Sequence, residues 1–184
     1  NLIIHLLIEN VIKYPHSFLL KVRMPHRVKV FMWLVLRNSI LTKDNLVRRG
    51  WIGDKKCPFS RKEESINHLL MKCYVSKLLW NIMICAFVLH DMPDNVQAMF
   101  EQWITRFIKI DKNLVMVGIS TIFWVVWKLT NNTIYLMLIF YYIFDNNKVY
   151  DPCILVRLSI KWLHDWNFLQ TNQERQITME WVIM

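Results

Sequence analysis

Three glycines in 184 residues, Gly50, Gly53 and Gly118, are too few for a chain built on tight turns. Strands joined by short hairpins lean on glycine for positive φ, so a sheet-rich fold is not expected and long helices are. Cysteine is scarce too: residues 57, 73, 85 and 153 form no dense framework. The apolar start Asn1–Ile12 carries Glu9 and has no basic leading region, so it does not read as a secretory signal. An intracellular, reducing setting in nucleus or cytoplasm is expected, without disulfides and without secretion. The chain opens on Asn1 rather than Met, as expected of a fragment of a longer product. Adjacent aspartates of the Tyr-x-Asp-Asp type are absent, which removes the catalytic pair of a polymerase. Three scattered glycines cannot build a phosphate-cradling loop, and no His-Glu-x-x-His motif occurs. No clear ribonuclease H carboxylate set can be picked out either, and no enzymatic activity is expected.

What is present is apolar bulk and uneven charge. Hydrophobic residues make up 54% of the chain and aromatics 14%, which excludes a disordered segment and provides for a real core. Between Val11 and Lys77 stand fifteen Lys/Arg against four Asp/Glu, a balance of +11, while the remainder is slightly acidic. A basic half attracts polyanions, nucleic acid first and an anionic membrane surface second; a solvated Lys/Arg-rich face is the plain alternative.

Helix punctuation divides the chain. Pro15 ends a short apolar segment, and Pro25 stands at the start of a helix over Arg27–Arg37 that is apolar nearly all round and therefore expected to be buried on most sides. Thr42 is suited to cap a second helix, with Asp44 in its first turn and Gly50 as its stop. Asp44 and Arg48 are spaced for an i,i+4 pair, and Arg48 and Arg49 suit the negative end of the helix dipole as well as they suit a phosphate. Ser65 is placed to cap a helix through Met71, and a further helix is predicted over Ser76–Leu89 with Val75, Leu78, Leu79, Ile82 and Met83 on one side. Asp91, Pro93, Asp94 and Asn95 read as a linker where basic charge falls away. Amphipathic segments follow at Val96–Ile108, Leu114–Leu129, Thr133–Phe144 and Pro152–Leu169, the last with a stripe of Leu155, Leu158, Trp162 and Trp166. A membrane span needs about 20 consecutive apolar residues. Lys128 and the polar cluster Thr130–Thr133 divide Leu114–Phe144, so a buried helical hairpin is expected rather than a span. The expected organisation is an N-terminal segment 1–20, a small helical domain 21–90 that contains Cys57, His68 and Cys73, and a helical C-terminal region 91–184, mainly α throughout.

One stretch carries metal-ligating chemistry. Cys57-Pro-Phe-Ser60 is followed by His68 and Cys73. Structural zinc takes four Cys/His ligands, two of them often from a Cys-x2-Cys knuckle, and here Ser60 stands at the second knuckle position. Residues five apart on an α-helix differ by about 140°, so His68 and Cys73 can share a metal only if the helix ends before Cys73. Three ligands leave a fourth place for water or Ser60, and a cluster of buried Cys and His without metal is the alternative.

The span Lys21–Trp80 resembles the zinc-binding domain of plant LINE-type (non-LTR) retrotransposon reverse transcriptases. The resemblance runs over Lys29, Phe31 and Trp33, then Leu41, Thr42, Asp44, Leu46, Arg49 and Gly50, then Cys57, Pro58, His68, Leu69, Cys73 and Trp80. Farther on, Phe123–Asn132 and Trp162–Trp166 are similar to downstream elements of grass copies, with Thr130 where arginine is usual. The resemblance implies a non-enzymatic, zinc-binding module downstream of a polymerase, with zinc on Cys57, His68 and Cys73. It implies RNA or DNA as partner, and the parent reverse transcriptase as a second. The basic residues expected to contact nucleic acid are Lys29, Arg37, Lys43, Arg48, Arg49, Lys55 and Lys56. Ser60 and Thr130 depart from the family pattern and open the alternative of a degenerate remnant with only a helical fold.

Overall fold

The computed structural model of the protein describes residues 17–131, 152–170, 172 and 175. Every regular element among them is helical, and the sole β feature is an isolated bridge between Lys56 and Glu63. The mainly α fold expected from the glycine scarcity is the fold observed.

Helix α1 (Ser17–Lys21) leads into α2 (His26–Leu36), which starts directly after Pro25. α2 buries Val28, Phe31, Met32 and Val35, the i, i+3, i+4, i+7 spacing of a single covered face. The expectation of burial on most sides is corrected: Val30 is exposed, and half-buried Trp33 lies under the Arg37 guanidinium, 4.6 Å from ring centroid to Cζ.

In α3 (Lys43–Arg48) the expected stop holds. Gly50 adopts φ +88°, and the Gly50 and Trp51 amides donate back to the Val47 and Leu46 carbonyls. The expected N-cap is only half right. Thr42 has the extended backbone of a cap, but its hydroxyl donates to the Asp44 carboxylate. The free amides at the helix start go to Glu64: Lys43 N–H to its carboxylate at 3.0 Å and Asp44 N–H to its carbonyl at 3.1 Å. Burial raises the Glu64 carboxyl above the ordinary range despite that amide and the Lys43 charge. Buried Asn45 fastens the α2–α3 turn, donating to the Asn38 carbonyl at 2.8 Å and the Ile40 carbonyl at 2.9 Å. Asn45→Ala strands both carbonyls and is expected to cost about 2 kcal/mol. A urea titration checks this: the midpoint should fall with an unchanged m-value, and a loss under about 0.5 kcal/mol would mean water replaces the amide.

α4 (Tyr74–Ala86) begins and ends earlier than the predicted Ser76–Leu89. Cys73, in extended conformation, serves as its N-cap, and Val88 at φ +50° turns the chain at its end. Its buried face is Val75, Ser76, Leu79, Trp80 and Met83; of the residues expected there, Leu78 is half-buried and Ile82 is exposed. The single helix expected over Val96–Ile108 is broken. A short α5 (Val96–Ala98) widens into a π turn (Met99–Trp103) and tightens into a 3-10 turn (Ile104–Arg106). Asp91, expected in a linker, accepts from the Trp103 indole at 3.0 Å and the Arg106 guanidinium at 2.6 Å, which together hold its carboxyl below the usual range.

α6 (Lys109–Asn131) is the central element, longer than the predicted Leu114–Leu129 and buried all round from Leu114 to Val126. Among the described residues it is the one helix long and apolar enough to cross a membrane by length and composition, and most of it is buried within the fold. It packs against α2, α4 and α7 (Pro152–Asn167). Arg27 lies over the rings of Trp124 and Trp162, at 5.9 and 5.4 Å, joining α2, α6 and α7. Buried side chains form one core from Leu19 to Trp166. An apolar cleft of ≈ 730 Å³ lies between α4, α6 and α7. The segments expected at residues 1–16 and Thr133–Phe144, and the side chains of Leu155 and Leu158, lie outside the described residues.

Candidate metal centre

Two local devices meet beside α4. The first is the knuckle. Cys57 N–H donates to the Lys62 carbonyl at 2.9 Å, Ser60 N–H to the Cys57 carbonyl at 3.2 Å, and Glu64 N–H to the Lys55 carbonyl at 2.9 Å. These bonds close the loop.

The second is a π turn over His68–Lys72, where an α-helix through Met71 is expected from sequence. Cys73 N–H donates to the His68 carbonyl at 2.7 Å. A π turn closes after five residues instead of four, so it returns His68 and Cys73 to one side. It ends at Lys72, and Cys73 is extended (φ −63°, ψ 146°), which meets the condition that the H-x4-C spacing imposes. Ser65 Oγ accepts from His68 N–H at 3.2 Å, the capping expected of it. Two groups on α4 hold the turn: the Ser76 hydroxyl donates to the Leu69 carbonyl, and the Trp80 indole N–H to the Leu70 carbonyl at 3.1 Å.

The ligand atoms of Cys57, His68 and Cys73 all lie within 4.8 Å of one another. All three residues are buried, at 3%, 8% and 1% exposure. The two sulfurs are 3.8 Å apart. Two thiolates bound to one tetrahedral zinc at about 2.3 Å each lie about 3.8 Å apart, so the donor set fits that ion. Ser60 Oγ is 2.9 Å from His68 Nε2 and completes the group. Two thiols in contact share charge unequally. The Cys73 thiol, with further help from the Phe59 amide, His68 and Ser60, brings Cys57 down to about 5 against the opposing effect of burial. Cys73, in contact with the Cys57 sulfur and buried, is pushed above its ordinary range.

The basic residues singled out in the sequence do not form one cluster. Lys29 donates from α2 to the Leu20 carbonyl at 2.7 Å, and Arg37 lies at the far end of α2, about 12 Å along the axis by helical rise. Lys43 and Lys56 are brought together, the Lys43 ammonium donating to the Lys56 carbonyl. Arg48 is exposed and reaches Asn45 at 3.2 Å and Asp44 at 4.0 Å, the expected i,i+4 pair. Arg49 and Lys55 are exposed. Sequence reasoning missed Glu64, Asn45 and Ser76 as the groups that position the knuckle and the π turn. Ser76 left one trace, a hydroxyl between Val75 and the Leu79–Trp80 pair on an apolar face; Glu64 left none.

Residues 5–80, fewer than half of the chain, match the family model described as zinc-binding in reverse transcriptase. That match is to a zinc-binding part and not to a polymerase domain. No curated protein and no solved structure matches the chain.

Proposed function

We propose that this chain, which carries a reverse-transcriptase zinc-binding domain at residues 5–80, is a non-enzymatic module of retrotransposon origin whose structural zinc steadies a basic surface for RNA or DNA. The observation that carries the reading is the convergence of Cys57, His68 and Cys73 within 4.8 Å. These three would hold the ion, with Ser60 or water in the fourth place. Bound there, zinc supplies a cross-link between the knuckle and the π turn. The chain's own residues do the rest. Ser65, Ser76 and Trp80 orient the π turn, and Glu64 ties the knuckle to α3, whose far end carries Arg48 and Arg49. Lys43 at the start of α3, beside Lys56, and Lys55 add charge near the knuckle, and Lys29 and Arg37 stand apart from it on α2. The parent reverse transcriptase is the protein partner that fits a module of this origin.

Two measurements test the reading. Metal analysis of the purified chain should give about one equivalent of zinc, and chelation should lower the melting temperature. Binding to a single-stranded oligonucleotide should weaken roughly 50-fold for a fourfold rise in salt if about four phosphates are contacted. No binding at low salt would overturn the nucleic-acid part.

A specific observation favours a second reading, a remnant that binds no metal. Ser60 and His68 already satisfy each other at 2.9 Å, and the two thiols share a contact at 3.8 Å. Under about half an equivalent of zinc, with melting unchanged by chelation, would select it.

A further inference from the structure

The loop between α3 and the knuckle carries an indole that neither the core nor the metal centre uses. Trp51 is 41% exposed and its neighbour Ile52 98%. The Trp51 backbone is fixed, its amide donating to the Leu46 carbonyl at 3.1 Å. Its ring lies close against Gly53. A Cβ added to Gly53 would lie 2.2, 2.3 and 2.8 Å from Cζ2, Cη2 and Cε2 of the indole. Short distances to three consecutive ring atoms place Gly53 over one face of the ring, and 41% of the residue stays exposed. Among the described residues no cation covers this ring, unlike Trp33 and Trp124, which lie under Arg37 and Lys128. Cations flank it in sequence instead. Residues 43–62 hold Lys43, Arg48, Arg49, Lys55, Lys56, Arg61 and Lys62 against Asp44 and Asp54. Both carboxylates are engaged locally, Asp44 by Thr42 and Asn45 and Asp54 by the Lys56 amide.

We propose that Trp51 is a stacking platform for an unpaired nucleobase, so that the ligand of this loop is single-stranded nucleic acid. The proposal rests on the nucleic-acid reading above and narrows it. An exposed indole in a loop rich in cations is how sequence-tolerant single-strand binding is built, the ring stacking on a base and the cations meeting phosphates. A duplex keeps its base faces stacked and offers such a ring nothing.

The test uses the full chain and a fluorescein-labelled 20-mer of mixed sequence, single-stranded or annealed to its complement, at one salt concentration. Trp51→Ala should weaken single-strand binding about tenfold and leave duplex binding unchanged, whereas Trp51→Phe, which keeps a π face, should retain most of the affinity. Gly53→Ala, which drives a methyl into the indole, should weaken single-strand binding while Trp51 is still present. Circular dichroism melts of each variant establish that the fold is intact. Equal single-strand affinity of Trp51→Ala and the unmodified chain would overturn stacking and leave the nucleic-acid reading standing. Equal loss on both probes would also overturn it, since the indole would then act only through loop shape. Binding of neither probe by the unmodified chain at low salt would overturn both readings together.

Discussion

Ser60→Cys is expected to raise zinc affinity by roughly 10²- to 10³-fold. Structural zinc sites bind with about 10–16 kcal/mol, or about 2.5–4 kcal/mol for each of four ligands. A neutral hydroxyl supplies little of that share, and a thiolate supplies it in full. The backbone is already in place. Ser60 N–H closes the knuckle on the Cys57 carbonyl at 3.2 Å, and the side-chain oxygen is 2.9 Å from His68 Nε2. The substitution has an opposite effect without metal. It removes the bond between Ser60 and His68, so the metal-free variant should be less stable by about 1 kcal/mol. Competition with a chromophoric chelator measures the first effect, and a urea titration in excess chelator measures the second. Unchanged affinity would mean that position 60 does not face the ion and that Cys57, His68 and Cys73 are not its ligands.

Trp80→Ala is expected to cost about 3–5 kcal/mol, the range for emptying a core aromatic site. The residue is fully buried and meets Trp103 and Phe123 edge-on, each at 6.1 Å between centroids. It also donates to the Leu70 carbonyl inside the π turn. Trp80→Phe separates the two roles. It keeps most of the ring contacts and loses the N–H, at a cost of about 1–2 kcal/mol. If that bond sets the π turn, Trp80→Phe should weaken zinc binding more than Asn45→Ala does, although both are damaging to the fold. Equal zinc affinity in the two variants would assign Trp80 to packing alone. Urea titrations with and without zinc give both numbers.

These two residues mark how far the fold was legible in the sequence. α3 could be read almost to the residue because its stop is local: Gly50 needs only its own φ and two neighbouring carbonyls. Its start was misread for the opposite reason. Thr42 has the chemistry of a cap, but Glu64, folded back from beyond the knuckle, reaches the amides first. The π turn was not legible. Nothing in His68–Lys72 asks for a wider turn, which is held by side chains four or more residues downstream. Nor was the break in Val96–Arg106 legible: Val96, Met99, Phe100, Trp103 and Ile104 have the spacing of one α-helix, and the chain instead passes through an α, a π and a 3-10 turn. Spacing alone posed a conflict between His68 and Cys73 and required the helix to end before Cys73, which it does. The geometry that resolves it belongs to tertiary structure.

The wide turn makes the metal centre intolerant of changes in length. Between His68 and Cys73 the side chains of Leu69, Leu70 and Met71 face the core, and an apolar exchange there alters packing locally. Removing one residue is a different kind of change. It restores ordinary helical winding and rotates everything downstream by about 100°. Cys73 leaves Cys57, Ser76 leaves the Leu69 carbonyl, and the Trp80 indole turns away from Trp103 and Phe123 in the same step. A single in-frame codon deletion in this stretch would therefore dismantle the knuckle and the core together, where many point changes would not.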